Sequence, residues 1–303
     1  MEEFPQTVFA PPALEVRGLT RHFGKVPAVD GVDLTVHEGE IYGFLGVNGA
    51  GKTTTIRILL GIIAAEAGAI SLLGETTRRT SVAQKRRIGY VSQEQTFYPW
   101  MTGHALGKFV GAFYPTWDAA EYQRLLGVLE VPADRRVSQL SGGMRTKLAL
   151  ALALAPRPAV LILDEPTAGL DPLARREFMQ LIVTQARQHR RTTFFSSHLI
   201  DEVERCADRV GIIHAGRMRF EGPLGCLRAT VRRVRVTGGA ELNPPPEFER
   251  WLEAPLDDGA RLSVLRAPEE AWNALVLPEG ATVESLSLED AFIACVGAKA
   301  VRL

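Results

Sequence analysis

Short apolar stretches separated by turn residues set the rhythm of the first part of the chain. Leu14 to Val16, Val32 to Val36 and Ile41 to Leu45 read as strands, and the last runs into a glycine-rich loop followed by a helical stretch from Thr53 to Leu60. Strand, glycine loop and helix in that order open an α/β core. Further on, Ala159 to Leu163 is apolar throughout and bracketed by Pro158 and Pro166, the pattern of a strand buried on both faces of a mostly parallel sheet. Thr192 to Phe195 and Val210 to His214 read the same way. Helical spacing at Ala105 to Phe113, Ala119 to Leu129 and Gly142 to Ala155 predicts a helical insertion over about residues 94–155. Past residue 228 the texture changes to a strand at Val231 to Val236, a Gly- and Pro-rich stretch through Gly238, Gly239 and Pro244 to Pro246, and further short segments. The expected organisation is a flexible leader over 1–13, a main domain over 14–228 and a small C-terminal α+β accessory domain over 229–303.

Composition sharpens this picture chiefly by exclusion. With 46% hydrophobic and 23% charged residues in 303, the chain has the make-up of a folded globular protein. Thirty-five basic and 35 acidic residues cancel, so no global field favours nucleic acid or an anionic membrane, and any anion site must be local. The longest apolar runs, Leu148 to Ala155 and Ala159 to Leu163, fall well short of the roughly 18 residues that span a bilayer. The first residues lack the basic and apolar regions of a signal peptide. Cys206, Cys226 and Cys295 are far apart in sequence, which argues against a zinc site or a disulfide scaffold and for reduced thiols.

Three motifs carry chemistry. Gly46-Val47-Asn48-Gly49-Ala50-Gly51-Lys52-Thr53 matches GxxxxGK[ST] in its strand-to-helix setting, a loop whose backbone N–H groups converge on phosphate oxygens. Lys52 is placed for the β and γ phosphates and the Thr53 hydroxyl for Mg²⁺. Val160 to Asp164 and Glu165 form an apolar strand ending in two carboxylates, Asp164 suited to Mg²⁺ and Glu165 to a general base acting on water. Leu140-Ser141-Gly142-Gly143-Met144 begins a helix with Ser141 as N-cap and offers a second anion cradle.

Together these motifs resemble those of the nucleotide-binding subunits of ATP-binding cassette (ABC) transporters, and the resemblance spans about residues 14–222. Ser141-Gly142-Gly143 resembles the family signature LSGGQ, with Met144 where the family has glutamine. Gln93 matches the Q-loop, Asp171 in Ala168-Gly169-Leu170-Asp171 the D-loop, and His198 the switch histidine, while Phe23 falls where the family stacks an aromatic on adenine. The resemblance implies a P-loop cassette with an antiparallel β subdomain beside the parallel core. It further implies ATP and Mg²⁺ as ligands, with Gly46 to Thr54 holding the phosphates. Thr53, Gln93 and Asp164 would serve Mg²⁺, Glu165 would act as base, and His198 would contact the γ-phosphate. Ser141, Gly142 and Gly143 would reach the ATP of a second, facing cassette, identical or not. A separate transmembrane permease would hold the subunit on the cytoplasmic face of the cell membrane.

Aromatic residues at Phe97, Tyr98 and Trp100 cluster in a segment expected to be exposed, a candidate permease contact or local packing. Ser285 to Phe292, with a capping pattern at Ser287 and Asp290, resembles the tail of ATPases serving ABC-2 type exporters. Two rival functions stay open on the sequence: a family ATPase acting on nucleic acid or the ribosome, and a non-hydrolysing cassette that only assembles a complex. The first lacks coiled-coil insertions, zinc cysteines or a second cassette to support it. The second is disfavoured by the presence of Lys52, Asp164, Glu165 and His198 together.

Overall fold

The computed structural model describes residues 11–77, 79–238 and 240–297, and its contacts divide the chain into two units, Met1–Met218 and Arg219–Leu303. The first unit opens with β1 (Pro12–Phe23) and β2 (Val26–His37), an antiparallel hairpin whose tip lies between Phe23 and Val26. β1 starts before the apolar pattern that begins at Leu14: Pro12 pairs with His37 and Ala13 is fully buried. Those two residues therefore belong to the fold and not to a leader, as does Pro11, whose carbonyl accepts from the Glu38 amide at 3.0 Å, while residues 1–10 lie outside the described residues.

β3 (Ile41–Leu45) leads through the glycine loop into α1 (Lys52–Leu59), and β4 (Ala67–Leu72) and β5 (Glu75–Thr77) complete an antiparallel sheet in the order β2-β1-β4-β5. After α2 (Val82–Lys85) and β6 (Ile88–Val91) come the helices α3 (Gly103–Gly111), α4 (Ala119–Val128) and α5 (Gly142–Leu154). Side-chain N-caps start each of the three: Thr102, Asp118 and Ser141 accept from the backbone three residues on. The chain then alternates through β7 (Val160–Asp164), α6 (Pro172–His189), β8 (Thr192–Ser197), α7 (Ile200–Cys206), β9 (Arg209–His214) and β10 (Arg217–Pro223).

β9-β3-β8-β7-β6 form a parallel run in the second sheet, with β10 at its edge. Every residue of β3 and β7 is buried, as strands covered on both faces must be. Tyr42, Phe44, Ile162 and Phe194 turn one face of this sheet toward the apolar side of β1, β2 and α1, and Phe194 stacks on Tyr42 with ring centroids 5.3 Å apart.

The division at Met218/Arg219 lies upstream of the expected boundary at 228/229 because β10 spans it: the Arg266 guanidinium sits 5.3 Å from the Phe220 ring, so the latter half of β10 packs with the C-terminal unit. That unit holds α8 (Leu224–Thr230), β11 (Val231–Val236), β12 (Glu249–Pro255), β13 (Arg261–Arg266), α9 (Glu269–Ala274), β14 (Ala281–Ser285) and α10 (Leu288–Val296). Its antiparallel sheet, ordered β12-β13-β11-β14, buries Val234, Leu265, Phe248 and Trp272, with the Trp272 Nε1–H donating to the Thr230 carbonyl at 2.9 Å. α10 begins at the expected cap, the Asp290 amide donating to Ser287 Oγ at 3.0 Å.

Candidate functional site

Because β3, β8, β7 and β6 run parallel, their C-terminal ends meet at one edge of the sheet, the edge at which such sheets bind ligands. β3 delivers the glycine loop, β7 delivers Asp164 and Glu165, β8 delivers Ser196 to His198, and the loop after β6 delivers Gln93. A cleft of about 330 Å³ opens there, lined by Asn48, Gly49, Gly51, Lys52, Thr53 and Thr54 of the loop with Gln93 and Glu165, and by Ala28 from β2. Gly51 caps α1 with φ +112, and a Cβ there would stand 2.4 Å from the Ala28 carbonyl oxygen, so only glycine lets the loop close against β2.

Within the cleft the charged groups are cross-braced. Lys52 Nζ donates to the Gly46 and Val47 carbonyls at 2.6 and 3.1 Å and lies 3.0 Å from Glu165 Oε1, both side chains being more than nine-tenths buried. His198 Nδ1 stands 2.9 Å from the other oxygen, Glu165 Oε2. Thr53 Oγ1 donates to Asp164 Oδ1 at 3.2 Å and Ser196 Oγ donates to the same oxygen at 2.8 Å. Burial pushes the Asp164 carboxyl above its ordinary range, the neighbouring Glu165 adds to this, and the Ser196 and Thr53 hydroxyls oppose it. Glu165 itself occupies the left-handed region at φ +44, a conformation costly for a residue with a side chain and common at reactive sites.

Sequence reasoning missed two members of this network. Ser196 follows from register: Asp164 pairs with Ser196 across β7 and β8, so one hydroxyl both donates to Asp164 and accepts from the Glu165 amide at 2.9 Å. Glu202 on α7, 7% exposed, accepts from Thr167 Oγ1 at 2.7 Å and Ser197 Oγ at 2.8 Å, with Arg175 Nε 3.6 Å away. It ties the turn after Glu165 to the segment carrying His198. The local signal for Ser196 was its place two residues before His198.

The other expected residues lie apart from the cleft lining. Ala50 is buried and its carbonyl accepts from the Gly216 amide, so it shapes the loop from behind. Phe23 stands half exposed at the hairpin tip with the Arg21 guanidinium 5.2 Å from its ring. Ser141 caps α5, its Oγ accepting from the Met144 amide at 3.2 Å, and Gly142 and Gly143 follow in the first turn. A Cβ on Gly143 would lie 3.3 Å from the Leu170 side chain, next to Asp171, whose carboxylate caps α6 through the Leu173 and Ala174 amides.

The ABC transporter family model matches residues 29–168. The chain is 38% identical over 224 residues to the bacitracin transport ATP-binding protein BcrA of Bacillus licheniformis, a match covering 73% of this chain and 72% of that protein. It is also 38% identical over 224 residues to a Nod factor export ATP-binding protein I of Paraburkholderia xenovorans, covering 72% of this chain and 73% of the relative. Among solved structures, the dimeric structure of a bacterial ABC transporter cassette matches with a TM-score of 0.64 at 24% identity, over 70% of this chain and 98% of that one.

Proposed function

The chain belongs to the ABC transporter family as an ATP-binding, ATP-hydrolysing subunit, and from that premise we propose which residues do the work and what they drive. Lys52, the glycine loop and Thr54 hold the ATP phosphates, and Phe23 carries the adenine. The donor set suits Mg²⁺: the Thr53 hydroxyl and the Asp164 carboxylate share a hydrogen bond, Gln93 lines the same cleft, and no cluster of three or more His, Cys, Asp or Glu competes among the described residues. Hard oxygen ligands in small number, leaving room for phosphate and water, are what Mg²⁺ takes. When bound it would neutralise charge developing on the phosphates.

The observation that carries the reading is the position of Glu165, held between Lys52 on one oxygen and His198 on the other at the mouth of the cleft. Lys52, on meeting phosphate, gives up Glu165 Oε1, which is then free to take a proton from the attacking water. His198 keeps Oε2 and so fixes the orientation of the carboxylate. Ser141, Gly142 and Gly143 stand apart from this cleft and serve the ATP of a facing second subunit, with Asp171 beside them.

Among the described residues no helix is long and apolar enough to cross a membrane, so a separate permease does the spanning. Its docking face is the ladder of exposed rings on the helical insertion, Tyr98, Trp100, Phe109 and Phe113, with successive contacts of 5.1 Å (Tyr98–Trp100), 6.0 Å (Tyr98–Phe109) and 5.4 Å (Phe109–Phe113). The subunit then sits on the cytoplasmic face of the membrane. The names of its relatives, one in bacitracin transport and one in Nod factor export, support export as the direction. Phosphate release by the Glu165→Gln variant tests the site: ATP binding is retained and turnover falls about 10²- to 10⁴-fold. Turnover within threefold of the parent would remove Glu165 from the role of base. The same variant with Mg²⁺ and ATP elutes as a dimer in size exclusion, whereas a strict monomer, alone and with its permease, would rule out the facing pair.

A further inference from the structure

The opposite edge of the parallel sheet holds a second cavity, of about 410 Å³, at the beginnings of β7 and β8. Four guanidinium groups line it, those of Arg87, Arg157, Arg190 and Arg191, against the carboxylates of Glu38 and Glu121, which leaves two positive charges in surplus. The surplus is local. Among the described residues no carboxylate lies within ion-pairing distance of Arg87, Arg190 or Arg191, whereas Arg157 is paired with Asp118 at 2.7 Å outside the lining and both oxygens of Glu121 are engaged by Arg124 at 2.7 Å.

Arg191 is the unusual member. α6 ends with Arg190 in the left-handed conformation, φ +47, and the Arg191 amide reaches back to the Ala186 carbonyl at 2.9 Å. This turn sends Arg191 inward, where it is 9% exposed and its Nη1 finds no hydrogen-bond partner. Burial, more than the nearby Arg157, disfavours its charge, with Glu121 pulling the other way. A guanidinium does not shed its proton at ordinary pH, so a buried Nη1 without an acceptor is a standing cost that an anion would relieve. Attraction to the C-terminal dipole of α6 accounts for exposed basic residues there, such as Arg187, but not for one turned into a cavity.

We propose that this cavity binds a small, free phosphorylated molecule through a dianionic phosphate group, with Arg191 as the buried anchor and Arg87, Arg157 and Arg190 around it. Arginine forks match phosphate oxygens in pairs, and the charge surplus matches a dianion. The site is separate from the nucleotide cleft, which lies at the other ends of the same strands.

The test titrates inorganic phosphate into the full chain with its nucleotide cleft saturated by Mg·ADP, at ionic strength held constant with chloride, and follows thermal unfolding. Saturable stabilisation by phosphate is expected. Arg191→Gln should raise the phosphate Kd at least about tenfold, the weight of one charge-assisted hydrogen bond. Should that variant fold poorly, Arg190→Gln and Arg87→Gln, at exposed positions, should each weaken phosphate several-fold while leaving the fold intact. Arg187→Gln is the control: Arg187 sits at the same helix end but is paired with Asp208 at 2.6 Å outside the cavity, so phosphate affinity should not change. No saturable response beyond chloride, or equal weakening by Arg187→Gln and Arg190→Gln, would overturn the proposal. So would binding to phosphatidylglycerol vesicles that depends on these arginines without any response to free phosphate.

Discussion

Replacing Lys52 by methionine in the nucleotide-free protein isolates the cross-brace at the cleft from any effect on ATP. The ammonium has three donors and the structure spends all three, on the Gly46 and Val47 carbonyls and on Glu165 Oε1. Methionine keeps the stem and removes every donor, leaving the Glu165 carboxylate, 8% exposed, with only His198 against its second oxygen. Deleting one partner of a buried ion pair costs about 3 to 5 kcal/mol. Because His198 remains at 2.9 Å, the lower end of that range, about 3 kcal/mol, is expected here. In a unit the size of Met1–Met218 each kcal/mol moves Tm by about 2 to 4 °C, so the loss should read as roughly 6 to 12 °C in calorimetry without nucleotide or Mg²⁺. The double variant Lys52→Met with Glu165→Gln removes the orphaned charge and should recover at least about 1 kcal/mol, the coupling expected of side chains in contact. A loss below about 1 kcal/mol for Lys52→Met, or strict additivity in the double variant, would refute the view that the base is held by an ion pair before nucleotide arrives.

Three further outcomes follow from particular contacts. Burial raises the Asp164 pKa in the folded chain, so the folded state holds that proton more tightly than the unfolded state. The stabilisation is full below the unfolded value near 3.8 and is lost as pH rises through the folded value, which leaves ionised Asp164 a cost at neutral pH. Asp164→Asn should therefore raise the Tm of the nucleotide-free protein at pH 8, with the gain shrinking toward pH 4, while abolishing Mg²⁺-dependent turnover; a lower Tm at pH 8 would contradict this. A Cβ on Gly211 would stand 2.1 Å from the Tyr42 hydroxyl, so Gly211→Ala should destabilise by about 1 to 3 kcal/mol in urea unfolding, and adding Tyr42→Phe should return part of that loss. Trp100→Ala, at a position 64% exposed, should leave basal ATPase and Tm unchanged but raise the permease concentration giving half-maximal stimulation about tenfold; unchanged stimulation would clear Trp100 of contact with the permease.

What could be read from the sequence was whatever is written along one segment. The glycine loop, the apolar strand ending in Asp164 and Glu165, and the cap at Ser141 are local, and each stands within a residue or two of its expected place. α6, the longest helix described, opens on Asp171-Pro172, a cap followed by proline at the first helical position, a signal that the loop motif ending in Asp171 overlies. The strands of the C-terminal unit are harder still: β12 buries only Trp251 fully, and β14, though Ala281 and Val283 alternate with polar residues, is five residues long and buries none of them fully. Pro12 and Ala13 read as leader because what holds them is distant in sequence, His37 across from Pro12 and the Leu73 amide on the Ala13 carbonyl, and nothing short of the pairing itself reveals it.

The site residues absent from the motifs, Ser196 and Glu202, share one origin. Ser196 and Glu202 do nothing that their own segments announce; each acts through a register or a helix packing that brings distant chain together. β7 and β8 pair from Val160–Thr192 to Asp164–Ser196, and this one alignment sets a hydroxyl between the Asp164 carboxylate and the Glu165 backbone amide at one end. Glu202 then uses Thr167, three residues past the end of β7, and Ser197, the last residue of β8, to lock the turn after Glu165 to the strand end that carries His198. A shift of one residue between β7 and β8 would turn Ser196 to the other face and release Asp164 and Glu165 together, so the geometry of the base depends on sheet register as much as on any motif.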